Sequence, residues 1–331
     1  MMSFKSKNFF NCHYSIQSIL LIGLLFSCFS SFSQPKETGK VIIPKDAVYL
    51  KILGIAQDGG YPQIGCIKAC CNAIKQGKET KKNVVSLGLV SNNKYWLFEA
   101  TPDISDQLDL MQKEVKHSGF LMPEGIFITH AHMGHYAGLQ FLGREALGAS
   151  KVPVYAMPKM DNFLRNNGPW SQLVQLNNIV LKPIQHKQPI QLNEQLSVTP
   201  ILVPHRDEFS ETIGFMIQSS RKSVLFIPDI DKWEKWQEQI VEMVKLVDLA
   251  LIDGTFFKDG ELPNRNMSEV PHPFVEESIK KFALLPLKEK SKICFIHFNH
   301  TNPLIRAKSA EKLNLEKMGY KVAEQGLTIV L

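Results

Sequence analysis

Thr129-His130-Ala131-His132-Met133-Gly134-His135 places three of the 10 histidines of this 331-residue chain within six residues. The apolar, β-branched run before it, residues 125–129, predicts a buried strand, and residues 136–142 after it have helical spacing. The histidines therefore belong to a strand-to-helix turn, where His130 and His132 project to the same side. Neutral imidazole is a common metal ligand, so the pattern predicts a site for one or two Zn²⁺-like ions. A surface histidine tract is the simpler alternative.

The order of the predicted elements favours an α+β class over a doubly wound sheet. The early strands have hairpin spacing, whereas the later ones alternate with helices, among them residues 134–147, 232–247 and 305–318. This arrangement suits two β-sheets packed face to face with helices outside. No strand is followed by the glycine-rich fingerprint of a dinucleotide fold.

Composition narrows the classes of function. The chain has 44% hydrophobic and 21% charged residues and a net charge of +6, which is ordinary for a globular protein. The lysines are scattered and lack interleaved aromatic residues, so we expect a small-molecule substrate and no nucleic acid.

The histidine stretch resembles the Thr-His-x-His-x-Asp-His signature of the metallo-β-lactamase-fold hydrolases. This resemblance implies a four-layer αββα sandwich for residues 47–331. One position departs from the family pattern, because Gly134 stands where the family has its aspartate.

Three further stretches resemble the remaining ligand motifs of that family, in the family's order: residues 199–205 with the strand 211–215, residues 224–229, and residues 293–297. Carried over by position, the resemblance implies two adjacent metal sites. The first would hold His130, His132 and His205, the second His135 and His297, and both would share Asp229. Taken singly each match is weak; Asp229, for example, could cap the helix after it.

Gly134 removes one carboxylate from the second site, which we therefore expect to be weaker. A neighbour such as Asp207 or Asp231 could replace it, or the chain could use one metal. Zinc is the expected ion, and iron or manganese would also suit this ligand set.

A cysteine cluster follows the glycine turn near the start of the domain. The run Gln57-Asp58-Gly59-Gly60-Tyr61-Pro62-Gln63 and the cysteines after it resemble the pyrroloquinoline-quinone biosynthesis B-type proteins and the phosphonate-pathway cyclic phosphodiesterases. The resemblance implies a structural zinc held by Cys66, Cys70, Cys71 and His300, although Lys68 stands where those relatives have their middle cysteine. Disulfides among the cysteines are the alternative.

Two more residues are expected to serve the active site. Residues 250–256 resemble a strand end of the same group, which implies that Asp253 orients a metal-bound histidine. His272, in the loop beyond, is a candidate general acid, with a surface loop histidine as the alternative. The expected catalytic residues are thus Asp229 and His272.

The N-terminus predicts export. Lys5 and Lys7 precede an apolar core, residues 19–26, that is too short for a membrane-spanning helix, so residues 1–33 are expected to be a signal peptide and residues 34–46 a tether. Cys28 lies at lipobox spacing, and a small-x-small cleavage site ends at Ser33. The sequence predicts a periplasmic protein or a lipoprotein whose only membrane contact is a lipid on Cys28.

These observations together predict a metal-dependent hydrolase that uses metal-activated water on a phosphodiester, lactone or amide. The alternatives are a metal-dependent oxidoreductase related to quinone-cofactor biosynthesis and a metal-binding protein with reduced catalysis.

Overall fold

The computed structural model describes residues 47–115 and 117–331. Within them the strands are β1 Tyr49–Gly54, β2 Ser86–Ser91, β3 Lys94–Phe98, β4 Gly125–Phe127, β5 Val152–Ala156, β6 Ile179–Pro183, β7 Ile190–Asn193, β8 Leu196–Leu202, β9 Ile213–Ser219, β10 Ser223–Ile227, β11 Leu249–Asp253, β12 Ile293–Ile296, β13 Lys321–Val322 and β14 Thr328–Val330. The helices are α1 Ala69–Lys75, α2 Ile104–Val115, α3 Met133–Tyr136, α4 Pro158–Asn166, α5 Trp170–Gln175, α6 Ile240–Lys245, α7 Val275–Lys281, α8 Leu287–Lys290 and α9 Ala310–Lys317.

The strands form two sheets with the same internal plan. The first has the order β14-β1-β2-β3-β4-β5-β6 and the second β13-β12-β11-β10-β9-β8-β7. In each sheet antiparallel hairpins come first, and parallel strands follow from β3 to β6 and from β10 to β13. Because parallel strands end at the same edge of a sheet, the loops after β3, β4, β10, β11 and β12 can meet.

A cluster of aromatic rings joins the two sheets. The ring centroid of Phe98 on β3 lies 5.1 Å from Phe127, 5.3 Å from Phe215 and 6.1 Å from Phe226, so first-sheet and second-sheet rings interlock. On the outer face of the first sheet, α2, α4 and α5 bury residues such as Leu108 against the strands. Helices α6, α7 and α9 pack their buried side chains into the core that contains the second sheet. The predicted αββα sandwich is confirmed.

Three predicted helices are shorter in the structure. The prediction for residues 134–147 becomes α3 and a 3₁₀ segment, Ala137–Leu142. Residues 232–247 form a 3₁₀ turn and α6, because the indole N–H of Trp236 donates to the Leu202 carbonyl and fixes the intervening segment to β8. The helix predicted for residues 305–318 begins only at Ala310, where the Ser309 hydroxyl accepts from the backbone N–H of Lys312.

The predicted signal peptide, the tether and Cys28 lie outside the described residues. Among the helices of residues 47–115 and 117–331, none is both long enough and apolar enough to cross a membrane.

We expect Phe215→Ala to lower the free energy of unfolding by about 3–5 kcal/mol, because it removes a fully buried ring from the junction between the sheets. Equilibrium denaturation of the purified protein measures this change. Leu284→Ala, at a fully exposed leucine, is the matched control and should stay within about 0.5 kcal/mol of the wild type. An equal loss in both variants would contradict the assigned core.

Candidate metal centre

The three clustered histidines occupy the turn between β4 and α3, as the sequence predicted. His130 and His135 are fully buried, and His132 is partly exposed. The hydroxyl of Thr129 lies 2.9 Å from Nδ1 of His130, which leaves Nε2 of that ring facing the interior of the site. A strand end and the first helical turn thus present three imidazoles to one volume.

Asp229, which follows β10, lies at the centre of this volume. Its carboxylate oxygens are 3.3 Å from Nε2 of His130, 3.3 Å from Nε2 of His205 and 4.0 Å from Nδ1 of His132. Ligand atoms around a tetrahedral zinc ion lie about 3.3 Å apart, given metal–ligand distances near 2.0–2.1 Å. The structure therefore brings together the four residues expected to form the first site, with all four ligand atoms within 4.8 Å of one another.

A second group of potential ligands lies next to the first. Nε2 of His135 is 3.7 Å from Asp229 and 3.3 Å from Oδ1 of Asp58. Asp58, His135 and His297 have ligand atoms within 4.8 Å of one another. The sequence predicted His135 and His297 as ligands but not Asp58, because Asp58 was assigned only to a glycine turn.

The two carboxylates suggested as replacements for the family's aspartate do not join these groups. Asp207 accepts a hydrogen bond from the hydroxyl of Thr212, and Asp231 pairs with Lys235. Both side chains have polar partners of their own beside the site, and neither belongs to the groups of converging ligand atoms in the described part of the chain.

The site concentrates buried polar atoms that lack partners among the described residues. They are Nε2 of His130, His135, His205 and His297, and Oδ1 of Asp58 and Asp229. Buried polar atoms in folded proteins are nearly always paired, so a convergent set of unpaired nitrogen and oxygen atoms requires an explanation. Divalent metal ions fit this set, since every atom is a ligand type that zinc accepts.

Several ring orientations are fixed from outside the site. Oε1 of Glu99, a fully buried residue, lies 3.2 Å from Nδ1 of His135. The hydroxyl of Thr255 lies 2.8 Å from Nδ1 of His297 and donates to Asp253, so Asp253 contacts that ring only through Thr255. The role of Glu99 was not predicted, because an acidic residue at the end of an apolar strand has no distinctive sequence signal.

Two of these residues have strained backbones. Glu99 has φ 76° and His297 has φ 67°, in the left-handed region that residues with a side chain rarely adopt. Such conformations persist where the surrounding structure enforces them, often at functional sites.

Burial and neighbouring charges set the protonation of the metal-free site. Burial lowers the pKa of His130 well below its ordinary value and that of His297 to about 4, so both rings are neutral at physiological pH. Burial also acts to lower the pKa of His135, but the Glu99 and Asp58 carboxylates outweigh it and raise that pKa well above its ordinary value. Neutral imidazole is the form that binds metal, so a bound cation would replace the proton of His135.

His272 lies inside the site and not on the surface. Its Nδ1 is 3.0 Å from Asp229 and 2.9 Å from Asp253, and only 6% of the residue is exposed. Burial opposes protonation, yet the two carboxylates raise the pKa of His272 to about 10. The alternative of a solvent-exposed loop histidine is therefore wrong.

The cysteine cluster forms a separate group of potential ligands. The sulfur atoms of Cys66, Cys70 and Cys71 and a ring nitrogen of His300 lie within 4.8 Å of one another. Cys66 Sγ and Cys70 Sγ are 3.8 Å apart, which is close to the separation of about 3.8 Å around a tetrahedral zinc and far from a disulfide bond of about 2.05 Å. Cys70 thus supplies a third sulfur although Lys68 replaces the cysteine of the relatives.

A cavity opens beside the histidines. It has a volume of about 440 Å³, and its lining includes Asp58, His132, Met133, Arg206, Glu208 and Phe209. Nη2 of Arg206 lies 3.3 Å from Nε2 of His132, and Glu208 lies 3.2 Å from the same nitrogen. The cavity mouth therefore combines a cation, an anion and exposed apolar side chains.

Comparisons with known proteins agree with this arrangement. A family model described as "Beta-lactamase superfamily domain" matches residues 95–298. The chain is similar to coenzyme PQQ synthesis protein B of Nitrosococcus oceani, with 26% identity over 317 residues that cover 85% of this chain and 99% of that protein.

Two solved structures share the fold. The crystal structure of Zn²⁺-bound PqqB from Methylobacterium extorquens has a TM-score of 0.73 and 23% identity, and the match covers 86% of this chain and 100% of that chain. A diphosphatase from the PhnP family has a TM-score of 0.57 and 21% identity, over 86% of this chain and 97% of that chain.

We expect Thr255→Val to weaken divalent-metal binding about 10–100-fold, because the change removes the hydroxyl that holds the ring of His297 and keeps the side-chain shape. Competition with a chromophoric chelator measures the affinity. Thr199→Val is the matched control, since Thr199 lies within β8 and outside the ligand groups. Equal affinities of the Thr255→Val variant and the wild type would contradict the anchoring role.

Proposed function

The chain belongs to the β-lactamase superfamily as a hydrolase of the metallo-β-lactamase fold, and we propose that it hydrolyses a phosphodiester with metal-activated water. The observation that carries this proposal is the convergence of unpaired imidazole and carboxylate atoms around Asp229, beside the guanidinium of Arg206. A substrate bound in the adjoining cavity would reach both.

The residues of the chain divide the chemical work between them. Divalent ions at these ligands would supply a water of lowered pKa and polarise the phosphoryl oxygen. His130, His132, His205 and Asp229 would hold the first ion, and His135 and His297 would contribute to the second. Glu99 and Thr255 keep two of the rings in orientation, which preserves the geometry when the substrate binds.

His272 is proposed as the proton donor to the leaving oxygen. Asp229 and Asp253 both face its Nδ1, which fixes the ring and leaves Nε2 as the atom that can give a proton to a bound molecule. A histidine held by a carboxylate in this way is a common arrangement in general acid–base catalysis.

Arg206 favours a phosphodiester over a neutral lactone or amide. Its guanidinium is half exposed at the cavity and can pair with a phosphodiester anion through two N–H groups. Glu208, whose carboxylate is 3.7 Å from Arg206, offsets part of this charge when the cavity is empty. Phe209, exposed at 61%, offers an apolar surface to the organic part of the substrate.

We expect the zinc-loaded protein to hydrolyse bis(p-nitrophenyl) phosphate faster than the metal-free protein, and to accelerate this reaction over its uncatalysed rate by a larger factor than that of a neutral aryl ester or lactone, because metal and Arg206 both act on the anionic diester. Release of p-nitrophenol measures the rates, and lactone opening is followed by titration of the acid. Turnover of the lactone without turnover of the diester would assign the site to acyl substrates. Equal rates with and without metal would reject the proposed mechanism.

Two variants separate the roles in that experiment. His132→Ala should release an active-site ion and lower the rate by at least about 10³-fold, since a ligand is lost. Arg206→Ala should raise KM for the diester about tenfold while leaving the neutral substrate unaffected. Arg144→Ala, at an exposed arginine paired with Glu145, controls for the loss of a surface charge.

We propose further that Cys66, Cys70, Cys71 and His300 hold a structural zinc ion. The four ligand atoms make a closed Cys₃His set, and the buried Nδ1 of His300 has no partner among the described residues. Closed sets of this kind bind zinc for stability and leave no position for substrate.

We expect the thiols of this cluster to be unreactive toward a thiol reagent until a strong chelator removes the metal, because zinc holds them as protected thiolates. Counting reactive thiols before and after chelation, with mass spectrometry to locate the label, tests this. Cys294 is buried in β12 and serves as an internal control that should not respond to the chelator in the folded protein. Labelling that needs a reductant instead would identify a disulfide and reject the zinc.

A further inference from the structure

We propose that Asp58 supplies the carboxylate that the family signature places at position 134, so that Asp58, His135 and His297 complete the second metal site with the shared Asp229. This inference rests on the proposed metal-dependent function. It replaces the expectation that the loss of the aspartate at position 134 leaves this site weak.

The space for a side chain at position 134 is already taken by Asp58. A Cβ atom built on Gly134 would lie 2.1 Å from Oδ1 of Asp58 and 2.6 Å from its Cα. Real Cβ atoms essentially never approach other heavy atoms this closely. The carboxylate of Asp58 therefore fills the volume into which an aspartate at position 134 would extend.

The carboxylate of Asp58 also points at the correct partner. Its Oδ1 lies 3.3 Å from Nε2 of His135, and this oxygen is buried and has no hydrogen-bond partner among the described residues. Nε2 of His297 is also buried and unpartnered, and it belongs to the same group of ligand atoms. The three atoms face one another as ligands of a single ion would.

Backbone contacts attach the Asp58 turn to the strand end that carries His297. The N–H of Gln57 donates to the carbonyl of Phe298 at 2.8 Å, and the N–H of Gly60 donates to the carbonyl of Gln57 at 2.7 Å. The side chain of Asn299 also donates to the side chain of Gln57. Asp58 is therefore held in position relative to His297 by contacts of Gln57 with the two residues that follow that histidine.

A purely structural role for Asp58 would be an ion pair with a protonated His135. Glu99 already faces the other nitrogen of that ring, so the two carboxylates could in principle share a cation made by the imidazolium. This alternative predicts that Asp58 affects stability and not metal content. The two interpretations therefore differ in the metal content of a chain that lacks the Asp58 carboxylate.

The experiment removes the carboxylate of Asp58 and, separately, adds one at position 134. The variants are Asp58→Asn and Gly134→Asp, with Asp207→Asn as the control for loss of a nearby charge outside the ligand groups. Each protein is loaded with Zn²⁺ and dialysed against metal-free buffer. Elemental analysis then gives the ions per chain, and chelator competition gives the affinity of the weaker active-site ion.

We expect Asp58→Asn to weaken binding of one active-site ion by more than about 100-fold. This loss exceeds the one expected from removing a residue that only orients a metal ligand. Gly134→Asp alone should not raise the metal content, because its side chain collides with Asp58. Asp207→Asn should match the wild type.

The outcomes separate this inference from the proposed function. A wild-type chain that binds no active-site ion rejects the metal-dependent function itself. A wild-type chain whose active-site ions are all retained in Asp58→Asn rejects the assignment of Asp58 and leaves the hydrolase proposal intact. Asp58→Asn is nearly isosteric, and a far-UV circular dichroism spectrum like that of the wild type shows that the loss of metal is not a loss of fold.

Discussion

The buried carboxylate of Asp229 is the constraint on which the site depends. Only 2% of this residue is exposed, and burial of a charge is costly unless other groups compensate for it. Burial acts to raise the pKa of Asp229, but His205 and His272 outweigh it and hold that pKa well below its ordinary value. The Asp229 side chain is therefore ionised in the folded protein, and an anion buried this deeply needs positive charge around it. Binding of divalent metal would meet that need and link metal affinity to folding.

The plan of the two sheets explains how distant residues reach this carboxylate. In each sheet the strand after the hairpins is the first parallel strand, and its end carries an acidic residue: Glu99 after β3 and Asp229 after β10. The two acidic residues have different roles. Asp229 faces the ligand atoms of four histidines, whereas Glu99 faces the opposite nitrogen of the His135 ring and orients that ring. The edge-to-face contact of Phe98 with Phe215 packs the two sheets against each other.

The sequence predicted the fold and the histidines because their signals are local. Thr129 to His135 lies on one turn, and the spacing alone places three rings together. His205, Asp229 and His297 were expected only through resemblance, because residues far apart in sequence converge only once the strand order is known. Asp58 and Glu99 escaped prediction for the same reason. An acidic residue in a glycine turn or at a strand end could equally be a capping residue. Only the fold shows that it lies beside an imidazole.

Positions 58 and 134 need to be considered as a pair. With Asp58 present, a side chain at position 134 has no room, so glycine there is a packing requirement and not a defect of the motif. With an aspartate at position 134, a carboxylate at position 58 would place two anions within one small volume beside Asp229, where repulsion would oppose the ionisation of both. Each arrangement thus excludes the other on steric and electrostatic grounds. An absent aspartate in the His-x-His-x-x-His stretch therefore does not by itself indicate a missing metal, because a residue 76 positions earlier in the sequence can reach the same point.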